Sequence, residues 1–186
     1  ALGWLLRYSE INPSSQALNM LEKTLLRMAN GGIYDHVGGG FHRYSTDKQW
    51  LVPHFEKMLY DNALVPHVYL QTYLKTGKKH YLKIALDAME FVLTYLTSED
   101  GLFYSSLDAD SEGEEGLFYT WSIDEIEETL GEKEGKKIVE LMGMTHKGNF
   151  EGTNILHSRD QARESPFLGD INARAFYEYP AFRHKL

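Results

Sequence analysis

At 186 residues and 42% hydrophobic content, the chain is long enough to bury one real core, which excludes whole-chain disorder. It contains no cysteine, so disulfides, thiolate metal sites and thiol catalysis are all removed from this segment. The net charge of −8 is concentrated between Asp108 and Glu140, where twelve Asp or Glu stand against three Lys; no basic surface remains to release counterions, and nucleic acid is excluded as a partner.

Leu2 to Tyr8 is an apolar run with no capping residue before it, which predicts a start inside an element. After Asn12-Pro13-Ser14, Leu18, Leu21, Leu25 and Met28 recur at helical spacing, and Asn30-Gly31-Gly32 supplies a stop, predicting a helix of about 15 residues. Residues 31 to 55 are glycine-rich and aperiodic, a long loop of the kind kept for function. A second helix is expected from Glu56 to about Lys75, bent at Pro66 because an interior proline lacks the backbone donor and clashes with the preceding turn. Tyr81 to Leu96 is apolar almost all round, with Lys83, Asp87, Glu90 and Thr94 on one narrow stripe, and is expected to be buried on most sides. Thr97 to Trp121 is a second long loop. It ends at Ser122-Ile123-Asp124-Glu125, a capping box flanked by the hydrophobic staple pair Trp121 and Ile126. Short helices from Ile123 to Gly131 and from about Gly135 to Gly143 follow, then a third loop, 145 to 157; nothing is assigned beyond Arg159. No stretch reaches the roughly 18 to 20 apolar residues of a membrane span, and no signal-peptide order is present at the start, so a cytoplasmic, non-membrane protein is expected.

Short and long connections thus alternate. Because each helix reverses the chain, antiparallel hairpins should bring the three long loops to one end, the natural place for a site. The fold class predicted from these elements is all-α.

The first loop and the helix start after it read GGIYDHVGGGFHRYSTDKQWLVPHFEKMLYDNA, residues 31 to 63. Histidine, arginine and carboxylate side chains alternate there with aromatic rings, a mixture suited to a polyhydroxylated ligand, although the same residues can serve only to tie a glycine-rich loop to itself. In the second loop Asp108, Asp110, Glu112, Glu114 and Glu115 form a carboxylate cluster. A calcium loop counted from Asp108 has glycine at position six, Gly113, but Tyr119 where the bidentate glutamate should stand. A carboxylate pair for acid and base work, and a solvated acidic turn, remain open. There is no His-Glu-x-x-His, no P-loop lysine after Gly38-Gly39-Gly40, and no serine nucleophile elbow. No metal and no cofactor are expected.

Those two segments, together with GNFEGTNILH at 148 to 157, resemble in sequence and order the signature segments of the YyaL and spermatogenesis-associated protein 20 family. The resemblance implies a thioredoxin-like domain followed by an (α/α)6 toroid of six helical hairpins, similar to N-acylglucosamine 2-epimerase and six-hairpin glycosidases. On that reading residues 1–157 are part of the toroid and 158–186 an unassigned tail. The expected partners are a small-molecule sugar, the thioredoxin-like domain and the remaining hairpins, without which this stretch alone should be inactive.

Three functions follow as expectations. In an epimerase-like or isomerase-like enzyme, His42 and His54 act as base and acid, Arg43 orients a hydroxyl or anionic group and Trp50 stacks on the sugar. In a glycosidase, Asp108 or Asp110 works with Glu56 or Asp61. The third is a noncatalytic ligand-binding or scaffold module. Tyr44, Asp47, Tyr60, Asn62, Glu112, Tyr119 and Trp121 complete the predicted ligand-binding set.

Overall fold

A computed structural model describes residues 1–158. Six helices occupy most of them: α1 (Leu2–Ile11), α2 (Ala17–Asn30), α3 (Leu59–Thr76), α4 (Lys79–Tyr95), α5 (Ile123–Leu130) and α6 (Glu132–Leu141). Consecutive helices pack as pairs, α1 on α2, α3 on α4 and α5 on α6, and α1 also touches α3. The fold is thus mostly helical and compatible with the predicted all-α class. The tail expected at 158 to 186 lies, apart from Ser158, outside the described residues.

Helices α2, α4 and α5 form close to where the sequence periodicity puts them, whereas α3 begins at Leu59 and not at Glu56, α6 begins at Glu132 and not near Gly135, and the apolar run at the start is itself a helix, α1. Helix α2 buries Leu21, Leu25 and Met28 on one stripe. Gly77, at φ 71, closes α3 by donating its N–H to Tyr73 O at 2.7 Å. Ser122 and Glu125 make the full capping box at the start of α5. Helix α3 runs unbroken through Pro66. Helix α4 departs from expectation: Tyr81, Ile84, Ala88 and Phe91 are buried, but Leu86, Met89 and Leu93 face solvent on a second apolar stripe.

The long loops contain eight two-residue strands that lock the three loops together. In the first loop β1 (Tyr44–Ser45) pairs antiparallel with β2 (Pro53–His54). At its end β3 (Lys57–Met58) pairs with β4 (Ser106–Leu107) of the second loop. Strands β5 (Asp110–Ser111) and β6 (Glu114–Glu115) form a hairpin, and β7 (Thr120–Trp121) pairs with β8 (Asn154–Ile155) of the third loop. Short ladders therefore join first loop to second and second to third, satisfying backbone groups that would otherwise be orphaned where the loops meet.

Two main core regions lie on either side of this junction. One fills the space among α1 to α4 around Leu21, Leu25, Phe41, Tyr69 and Ile84. The other joins α5 and α6 to Val37, Trp121 and Leu156. Between them Phe55, Ala109 and Ile155 bring the three loops into direct contact.

Candidate functional site

The junction is built around a buried ion pair. Lys57, 1% exposed, donates from Nζ to Asp35 Oδ2 at 2.6 Å and to Gly39 O at 2.9 Å, and its ammonium lies over the rings of Phe91 and Tyr119 at 4.3 and 4.9 Å. The other Asp35 oxygen accepts the N–H groups of Val37 and Gly38 at 2.9 and 2.8 Å. Burial pushes the Asp35 carboxyl upward, but Lys57, with smaller contributions from His42 and the Gly38 N–H, outweighs it and holds the group below the usual range; burial also lowers Lys57. The glycine-rich sequence allows the loop to close this tightly: at Gly40, φ 77, a Cβ would lie 2.6 Å from the Phe91 ring.

His42 sits inside this junction. It is 3% exposed, donates from Nδ1 to Phe55 O at 2.9 Å, and meets the ring of Tyr119 edge-on at 4.6 Å. Burial first, then the Lys57 charge, lower it to about 3. It is therefore a neutral, structural imidazole at physiological pH, and the expected role of a second titrating histidine at the surface does not fit its position. His36 is similar: it donates from Nε2 to Gly31 O at 2.9 Å, burial lowers it to about 4, and its Nδ1 is buried without a hydrogen-bond partner among the described residues. Beside both rings, Tyr34, Tyr119 and Trp121 help enclose a cavity of about 10 Å3, room for one water and far too small for a sugar.

The outer face has different chemistry. Along residues 53 to 58 burial alternates strictly, so His54 and Glu56 point outward while Phe55 and Lys57 point in. His54 Nδ1 donates to Glu115 Oε1 at 2.7 Å, and its Nε2 lies 3.6 Å from Glu56 Oε2. Glu56 also accepts from Arg43 Nη1 at 2.8 Å, and the exposed Arg43 interacts with Tyr60 as well. Tyr44, half exposed, stacks on the His54 ring at 5.1 Å. Next to Arg43 and Glu56 is Asp61, whose carboxyl is raised by burial and by Glu56 against the opposing pull of Arg43. Its Oδ2 is buried without a hydrogen-bond partner among the described residues.

The predicted residues therefore divide into three groups. Arg43, Tyr44, His54, Glu56, Tyr60 and Asp61 gather on one accessible face. Asp47 instead accepts the N–H groups of Gln49, Leu51 and Val52, holding the first loop's turn. Asn62 is fully buried and bonds both backbone groups of Phe41, at 2.6 and 2.8 Å. Trp50, half-buried at φ 65, packs against the core of α1 to α4. Trp121 is buried in the α5–α6 core, and Tyr119 is packed over His42 and Phe55. Asp108, Asp110 and Glu112 belong to the second loop's exposed hairpin region, where Asp108 accepts from Asp110 N at 3.3 Å. Sequence reasoning missed the Asp35–Lys57 pair and the bond from Glu115 to His54. The apolar and polar alternation of Pro53-His54-Phe55-Glu56, which breaks at Lys57-Met58, was the only signal in sequence, and it did not mark the lysine as inward. Among the described residues no group of three or more His, Asp or Glu is placed to hold a metal ion. No helix among them is long and apolar enough to cross a membrane.

Fold and site together define a class: paired-helix proteins whose interhelical loops interlock through short strands and present a histidine between carboxylates on their joined face. No family model matches the chain. It is 41% identical, over 92% of its length, to spermatogenesis-associated protein 20 of Mus musculus and equally to that of Homo sapiens. A 39% identity over 67% of the chain links it to an uncharacterized protein of Caenorhabditis elegans. These identities support membership in the spermatogenesis-associated protein 20 family. The chain spans 23% of the length of the mouse and human relatives.

Proposed function

We propose that this chain is part of an (α/α)6 toroid that acts on a sugar, as an epimerase-like or isomerase-like enzyme of the cytoplasm. The observation that carries the reading is His54, an accessible imidazole with Glu115 on one nitrogen and Glu56 near the other, stacked on Tyr44. Abstraction of a proton next to a carbonyl needs such a base within reach of the ligand. His54 Nε2 would take the carbon-bound proton while the electron pair moves into the neighbouring C=O. A protonated group then returns a proton to that carbon. With His42 buried, Asp61 is the better acid, because burial favours its neutral form. Tyr44 and Tyr60 offer exposed ring surface for a sugar face. A glycosidase has less support, since Asp108 and Asp110 are exposed on the second loop's hairpin region.

One observation favours the noncatalytic reading, a scaffold or ligand sensor beside a thioredoxin-like domain: Asp35, His42, Asp47 and Asn62 are all engaged in holding their own loop. The two readings part in one experiment. Full-length protein is incubated with reducing sugars in deuterated water, and deuterium at a sugar carbon is followed by NMR. Exchange with at least one sugar, reduced about 10²- to 10⁴-fold by His54→Ala, is expected. Binding of a sugar without any exchange would favour the sensor.

A further inference from the structure

We infer that Glu115 is a positioning residue that fixes His54 as the Nδ1–H tautomer and so makes Nε2 the basic nitrogen of the exposed face. The inference deepens the proposed function and rests on it for the use of that base, but the tautomer itself is tested separately.

Free imidazole carries its proton on either nitrogen, and the bond made by one nitrogen decides the state of the other. Glu115 Oε1 lies 2.7 Å from His54 Nδ1, and a carboxylate can only accept, so Nδ1 must bear the proton. In the neutral ring Nε2 then keeps its lone pair. The nearest carboxylate to Nε2 is Glu56, at 3.6 Å, beyond hydrogen-bond length, and Glu56 is already engaged by Arg43 at 2.8 Å. An acceptor nitrogen facing an occupied carboxylate is left available to a donor or an acidic C–H from outside. The arrangement has the logic of a carboxylate orienting a catalytic histidine, with roles recognised by geometry and not by order in the chain.

Glu115 is held in place for this by the backbone on both sides. Before it, β5 and β6 pair Asp110 with Glu115 and Ser111 with Glu114, and the turn residues Glu112 and Gly113 have φ 55 and 85, the left-handed pair of a tight hairpin. After it comes Gly116, φ 79, where a Cβ would lie 2.4 Å from the Phe55 ring. The chain therefore crosses the face of Phe55 in direct contact, and Glu115 Oε1 also receives Phe55 N at 3.4 Å. A carboxylate from the second loop, 61 residues away in sequence, is thereby pinned over a histidine of the first.

The test is the ring ¹⁵N spectrum of the 186-residue chain labelled at histidine, at about pH 8.5, well above the reference histidine value of about 6.5. His54→Ala identifies the signal. The wild type is expected to show His54 as the Nδ1–H tautomer. Glu115→Ala should return it predominantly to Nε2–H, and Glu115→Gln, whose amide oxygen can still accept, should largely restore Nδ1–H. An Nε2–H ring in the wild type overturns the inference, as does a tautomer indifferent to Glu115→Ala. If Glu115→Ala fails to fold, the wild-type spectrum still decides. Sugar exchange that fails while the tautomer stands would refute the proposed reaction and leave the positioning role intact.

Discussion

Asp35, His36, His42 and Lys57 place four ionisable groups inside a junction from which water is nearly excluded, and their protonation states determine how the junction responds to acid. A buried charge is tolerated only when paired and hydrogen-bonded, and Asp35 meets that demand with Lys57 on one oxygen and two backbone donors on the other. The histidines take the other route and remain neutral. In the unfolded chain both rings take up protons below about pH 6.5, whereas in the fold they stay neutral down to about 4 for His36 and about 3 for His42. Across that window the unfolded state binds more protons, so stability falls as pH falls. At about 1.4 kcal/mol per pH unit, the two rings together should remove on the order of 5 kcal/mol between pH 7 and pH 4.5. Asp35 adds to the loss only at lower pH, as the medium passes below its ordinary value of 3.8. Urea midpoints at the two pH values check this, and an unchanged midpoint would show that these rings are not buried neutral. None of this was legible in residue types. A histidine in a polar, aromatic loop reads equally as a surface base or an interior one, and only the contacts of Phe55, Tyr119 and Lys57 separate His42 from His54.

Helices α2 to α5 were legible because each carries a run of apolar residues long enough to show its period, and α2, α3 and α5 also have a glycine or a capping box to bound them. The eight strands were not. Two residues cannot display an alternation of period two, and their pairing depends on partners up to 50 residues away, as for Lys57 with Leu107. The acidic hairpin is the instructive case: Glu112-Gly113 is a two-residue turn with both φ values positive, for which Asn-Gly is the strongest sequence signal. Glutamate in that position hid the turn and left a carboxylate cluster to be read as a calcium loop or an acid–base pair. Glu112 also adopts a conformation costing roughly 1 kcal/mol that asparagine tolerates better. Glu112→Asn is therefore expected to raise stability by about 0.5 to 1 kcal/mol and to leave the Glu115–His54 bond in place. The opposite is expected at the other end of the hairpin. Gly116→Ala combines left-handed strain with a clash against Phe55, and should lower the melting temperature while releasing Glu115. Thermal melts of the two variants, opposite in sign, check that the hairpin is held as described; equal effects would contradict it.

At the scale of the whole chain the unusual feature is apolar surface left uncovered among the described residues. On α4, Leu86 and Leu93 are 58% and 63% exposed, with Met89 between them at helical spacing, and on α3 Leu64 is 66% exposed. Scattered exposed leucines are ordinary, but a second apolar stripe on a helix that already buries a first one is the pattern of an element packed on two sides. In the proposed toroid, the helices that this stretch lacks would occupy that second side; the relatives, of which the chain spans 23%, have the length to supply them. The leucines then contribute nothing to the stability of the chain alone, and removing them should be nearly free. Leu86→Lys and Leu93→Glu, separately and together, are expected to change the urea midpoint by no more than about 0.5 kcal/mol each. Burial of a leucine side chain is worth roughly 1.5 to 3 kcal/mol, so a real packing role would be unmistakable. The same substitutions should reduce binding of a hydrophobic dye and concentration-dependent self-association, measured by light scattering. A loss of 2 kcal/mol or more with unchanged dye binding would mean that the stripe is already covered, and that the helices of this chain complete their packing without further hairpins.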